Sequence, residues 1–148
     1  MSRARGILVA MDDDELRAVL RSGYEALSRG DVDAVLALLA DDVELRDRAE
    51  APEAGVYHGH DGARVAFQQT DDTFENYRIR PTAIELGPVR DGGIRNVVVV
   101  LRQEGEGRLT GVRVSEDIAH VLTLKDDVAI RLRVFSTPDE ARAASLES

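Results

Sequence analysis

The chain has 148 residues, enough for one domain with a substantial core; 43% of them are hydrophobic and 32% charged, which excludes a disordered chain. Against 28 Asp plus Glu stand 19 Lys plus Arg, and the formal net charge of -9 repels polyphosphates and anionic lipid surfaces, so neither nucleic acid nor a membrane is expected as a partner. Cysteine is absent, which rules out disulfides, thiolate metal sites and cysteine nucleophiles and is compatible with a cytoplasmic location.

Residues 1–12 read as a loose extension: the apolar run at 7–11 is shorter than a signal-peptide core, and Met11 stands directly before the acidic run Asp12, Asp13, Asp14, Glu15 that opens a helix. From Asp13 onward Leu16, Val19, Leu20, Gly23, Tyr24 and Leu27 recur at three- and four-residue steps, the stripe of a helix buried on one face. Gly30 ends it, and Asp31 caps a second, short helix with the stripe Val32, Val35, Leu36 and Leu39.

After Ala40 the period changes to two, with Val43 and Leu45 alternating against Asp42, Glu44 and Arg46; Asp47 falls in phase with the apolar pair. A loop with Pro52 and Gly55 follows. Gly59 to Gly62 introduces a third helix, in which Ala63, Ala66, Phe67, Thr70 and Phe74 share one face and His60 with Asp61 serves as the helix-start cap.

Residues 77–86, 94–103, 109–124 and 128–135 read as strands that pair antiparallel in sequence order. Along the longest, Val112, Val114, Glu116, Ile118, His120, Leu122 and Leu124 share a face, so two ionisable side chains stand in an apolar row. Thr137, Pro138 and Glu140 then start a brief terminal helix. Helices first and strands afterwards give an α+β fold, its helices gathered on one face of a strongly curved sheet that leaves a hollow.

Three stretches carry a resemblance. They are Tyr24-Glu-Ala-Leu-Ser-Arg-Gly-Asp-Val-Asp-Ala-Val-Leu-Ala-Leu-Leu-Ala-Asp-Asp-Val-Glu-Leu, Tyr57-His-Gly-His-Asp-Gly, and the hairpin from Ile118 to Phe135, whose turn has Asp127 where a glycine is expected. Together they span most of a domain at 13–144, leaving 145–148 as a tail, and they resemble the SnoaL-like and ketosteroid-isomerase-like branch of the nuclear transport factor 2-like superfamily. The resemblance implies a cone-shaped α+β barrel, one apolar pocket for a small apolar ligand, no cofactor and a homodimer. The dimer would use the outer face of the long strand, Arg113, Ser115, Asp117, Ala119, Val121 and Thr123.

Ketosteroid isomerase pairs an aspartate base with an oxyanion hole made from a tyrosine and a protonated aspartate. Carried over by resemblance, the base falls at Asp47 and the oxyanion aspartate at His120, where a histidine donates a hydrogen bond or shuttles a proton. The tyrosine position falls on or beside Gly23; Tyr24 is out of step by one residue, about 100° round the helix.

Two functions follow as alternatives. In the first, a cofactor-independent isomerase or polyketide-cyclase-like enzyme works on a small carbonyl compound by proton transfer, with Asp47 as base and His120 holding the enolate oxygen. Phe67, Phe74, Leu122 and Val114 form its apolar wall, Tyr24 and Tyr57 reach the pocket, and Glu116 sits at the mouth or rim; the partner of His120 is Glu116 or Asp47. In the second, the chain is a non-catalytic ligand-binding or dimeric assembly module. His58 and His60 alternate in direction, no two-histidine helix motif is present, and a metal site is not expected.

Overall fold

The computed structural model describes residues 11–48 and 55–147. The expected extension, apart from Met11 and Asp12, and the loop containing Pro52 lie outside the described residues.

Helix α1 (Asp13–Ser28) starts in a capping box: Asp12 accepts from the Glu15 amide at 2.8 Å, and the Glu15 carboxylate accepts from the Asp12 amide at 3.0 Å. It buries Leu16, Leu20 and Tyr24. The Ser28 hydroxyl ties its last turn to the sheet through both the carbonyl and the amide of Ile79. Gly30, at φ +77°, takes the left-handed conformation past the helix end, and the Asp31 carboxylate caps α2 (Val32–Leu36) as expected. Leu39, expected on the stripe of α2, instead opens strand β1 (Leu39–Arg46).

Strand β2 (Val56–His58), which the sequence reading did not anticipate, leads into α3 (Gly59–Thr73). The expected His60–Asp61 cap is not formed. His58 holds the cap position without a side-chain hydrogen bond, and His60 Nε2 donates to the Leu39 carbonyl at 3.0 Å, fastening α3 to β1. Phe74 leaves the helix face to become the first residue of β3 (Phe74–Leu86), and β4 (Ile94–Gly107) follows a 3-10 turn at Asp91–Gly93. Strand β5 (Arg113–Lys125) begins later than the expected 109, because Leu109 sits fully exposed in the preceding turn. Strand β6 (Val128–Phe135) and α4 (Pro138–Leu146) complete the chain, with α4 capped by Thr137.

The six strands form one sheet in the order β2-β1-β6-β5-β4-β3. Neighbours in sequence from β3 to β6 pair antiparallel, while β1 lies parallel to β6. The sheet is open, ending at β2 and β3. On its concave side α1 and α3 close over β1 and β3; on the other side α4 packs on β4, β5 and β6. Ile118 to Leu124 is therefore a continuous buried run. Its even-numbered members face the large core, and Ala119 and Val121 pack with Val98 and Ala141 of α4. These two residues, expected to meet a second copy, are covered within the chain.

Two backbone irregularities aim side chains. A break in the β3–β4 register between Glu75 and Arg78 puts Asn76 at φ +53°, and the resulting bulge turns Tyr77 onto the concave side. In the β5–β6 turn, Asp126 and Asp127 take φ +50° and +66°, the conformation for which glycine was expected. The Asp127 carboxylate also accepts the Met11 amide at 3.2 Å.

Candidate active site

A cavity of about 360 Å³ opens between the concave sheet face and helices α1 and α3, at the small end of the range of ligand sites. Its wall is mainly apolar, from Leu20, Phe67, Phe74, Ile118, Leu122 and Val134 among others. Two hydrogen-bonded polar groups interrupt that wall, besides Asp47, Gln69, Thr70, Thr73 and Asp127 along its lining.

The first is a buried pair. The Tyr24 hydroxyl lies 2.8 Å from His120 Nδ1, with the rings 5.6 Å apart, deep in the cavity. Burial pushes the His120 imidazole down to about 4, so at neutral pH it is uncharged and carries one proton. Burial, and then the nearby Tyr77 phenol, pushes Tyr24 far above the ordinary phenol value, keeping its proton on. Among the described residues Tyr24 is the one hydrogen-bond partner of the His120 ring, which leaves Nε2 available to a molecule in the cavity. The expected partners of His120, Glu116 and Asp47, do not bond to it. Tyr24, one residue out of step with the family's tyrosine, still reaches the site, because a helix's buried stripe is wide enough to hold both positions 23 and 24 and a phenol is long.

The second is a chain of hydrogen bonds toward the rim. Tyr77 Oη donates to Gln103 Oε1 at 2.8 Å, Gln103 Nε2 donates to Glu116 Oε1 at 2.7 Å, and Arg48 Nη2 donates to the same oxygen at 3.5 Å. Burial and the Glu116 carboxylate push Tyr77 above the ordinary phenol value, and the Arg48 cation opposes them. Phe74 stacks on the Tyr77 ring with centroids 5.7 Å apart.

Asp47 lines the cavity next to Arg48; its Oδ1 accepts the Arg48 amide at 2.8 Å, and the Asp47 amide donates to the Gly55 carbonyl at 3.1 Å. Of the residues expected at the site, Asp47, His120, Tyr24, Tyr57, Phe67, Phe74 and Leu122 all line the cavity. Tyr57 also donates to Gln69 Oε1 at 2.8 Å. Val114 is absent from the lining, and Glu116 stands behind Gln103 at the rim. Sequence reasoning missed Tyr77, Gln103 and Arg48. Gln103 ends the expected strand, but only the register that sets it opposite both Ile79 and Glu116 reveals its place. Among the described residues no cluster of His, Asp and Glu could hold a metal ion, and no helix is long and apolar enough to cross a membrane.

Solved structures of similar fold include a nuclear transport factor 2-like protein of unknown function from Burkholderia pseudomallei, at 20% identity and TM-score 0.70 over 93% of this chain and 100% of that one. A protein with a ketosteroid isomerase-like fold from Catenulispora acidiphila, in complex with trimethylamine, matches at 14% identity and TM-score 0.66 over 86% of this chain and 91% of that one. The epoxide hydrolase/cyclase-like enzyme SalBIII, of pyran ring formation in the polyether salinomycin, matches at 20% identity and TM-score 0.66 over 85% of this chain and 93% of that one. No curated protein matches the chain. The model of the SnoaL-like domain matches residues 20–132, a stretch that holds α1 from Leu20, most of the cavity lining and both of its hydrogen-bonded polar stations, and so the chain belongs to the SnoaL-like family of the nuclear transport factor 2-like fold.

Proposed function

We propose that the protein binds a small, mainly apolar carbonyl compound and moves a proton at the carbon next to the carbonyl, without a cofactor. The observation that carries this reading is the neutral Tyr24–His120 pair, buried in an apolar cavity that Asp47 also lines. With Tyr24 O–H donating to Nδ1, the single imidazole proton sits on Nε2 and points a donor at the cavity. A neutral donor in a dry site stabilises charge developing on a carbonyl oxygen without itself having to be desolvated as an ion. Asp47 is the base: it takes the α-proton as the enolate forms and returns it to the same or a neighbouring carbon. Incubation of the protein with tetralone in D₂O, followed by NMR, tests this. The wild type is expected to accelerate exchange of the α-proton, and Asp47→Asn to slow that exchange by about 10²-fold or more while the fold persists. Unchanged exchange in the variant removes Asp47 from the mechanism.

A non-catalytic binding role is favoured by one contact, the Arg48 amide on Asp47 Oδ1, which occupies one of the two oxygens the base would use. Binding of tetralone with no acceleration of exchange would support that reading. A homodimer is proposed as the assembled form, through the outer face of β6, where the half-buried Arg131 and Arg133 stand side by side on one face. Carboxylates of an acidic second copy would pair with the two guanidinium groups. Light scattering that returns a monomer mass removes the dimer.

A further inference from the structure

The hydrogen-bond chain behind the cavity has a fixed direction. An arginine only donates, so Arg48 marks Glu116 Oε1 as an acceptor. The Gln103 amide must then present its NH₂ to that oxygen, 2.7 Å away; the flipped amide would set two oxygens against each other. Its carbonyl is thereby aimed at Tyr77 and takes the one proton of that phenol, at 2.8 Å. What Tyr77 offers the cavity is therefore an oxygen with lone pairs and no proton. The Asn76 bulge holds it there, and the stacked Phe74 ring restricts its rotation. With Tyr24 donating to His120 as proposed above, the two polar stations have opposite sense: His120 presents a donor and Tyr77 an acceptor.

We propose that Tyr77 is a specificity residue whose phenol oxygen accepts a hydrogen bond from the ligand, so that the ligand class is compact cyclic ketones bearing a separate hydroxyl or N–H group. This rests on the carbonyl reading above and adds the second contact. A ligand with only carbon opposite Tyr77 buries that oxygen without a donor, and an ether oxygen there sets two acceptors against each other.

Calorimetric titration with four sets of bicyclic compounds tests it: tetralin, tetralone, the positional isomers of hydroxytetralone, and their methoxy counterparts. In the wild type, at least one hydroxy isomer is expected to bind about tenfold tighter than tetralone, and its methoxy counterpart more weakly than tetralone. Tyr77→Phe should erase the hydroxyl advantage, so that the hydroxy isomers and tetralone bind it within about twofold of one another. Gln103→Leu releases the Tyr77 proton toward the cavity and should improve binding of the methoxy compound relative to wild type; circular dichroism checks that both variants fold. Equal affinities of every hydroxy isomer and tetralone, or a hydroxyl advantage that survives in Tyr77→Phe, overturns this inference alone. Tetralone binding no better than tetralin overturns the carbonyl reading and the hydroxyketone class with it. Binding of no compound in the panel overturns both.

Discussion

Burial of the His120 imidazole couples folding to pH. The unfolded chain takes up a proton at this residue near 6.5, whereas the folded chain does so only near 4. Between those values the unfolded state binds more protons, so stability is fully present above about 6.5 and falls as pH drops toward 4. The loss across that window is on the order of 3 kcal/mol. Urea titrations at a series of pH values should show this slope in the wild type and lose much of it in His120→Gln, which has no ionisable group at the position. Identical slopes in the two proteins would mean that the folded chain protonates His120 freely. The sequence announced this residue, since a histidine in the row Ile118, Leu122, Leu124 stands out by chemistry. Its partner stayed hidden: Tyr24 is 96 residues away, and only the packing of α1 over β5 brings the two rings together.

At the level of elements, the bulge in β3 decides that Tyr77 faces the cavity. Asn76 occupies the left-handed region at φ +53°, where asparagine is tolerated and a β-branched residue is not. Asn76→Gly is expected to leave stability within about 0.5 kcal/mol, whereas Asn76→Val should cost about 1 to 2 kcal/mol. Only the valine variant should also reduce discrimination between hydroxytetralone and tetralone, through displacement of Tyr77. Thermal melts together with the calorimetric panel read both effects; a valine variant as stable and as selective as the wild type would show that the bulge is incidental. Alternation along residues 77–86 suggested a plain strand, because an inserted residue leaves no local mark in a sequence where both phases carry polar and apolar side chains. Strand β2 was hidden for a related reason: its three residues are too few to display a period.

For the whole molecule, the sheet works as a partition, with the ligand cavity on one side and a small second core beneath α4 on the other. Ala141, fully buried against Val98, Ala119 and Val121, is the centre of that second core. Ala141→Glu would place a carboxylate there without a partner and is expected to detach α4 at a cost of about 2 to 4 kcal/mol. The cavity lies on the opposite face, so tetralone affinity should stay within about twofold while the protein becomes prone to aggregate through the uncovered strands. Loss of tetralone binding together with α4 would show that the two faces are not independent.

By itself the sequence determined the helical stripe and acidic first turn of α1, the capped starts of α2 and α4, the four long strands and the family, because each rests on periodicity, capping or turn chemistry within a few residues of one another. It also marked Asp47 and His120 as ionisable groups in apolar rows. The tertiary structure alone decided the parallel placement of β1 beside β6, the burial of both faces of β5, and the polar stations Tyr24–His120 and Tyr77–Gln103–Glu116. Strand order, register and the direction of a hydrogen bond depend on which distant segments share a surface, and that is settled by burying the whole set of apolar faces at once.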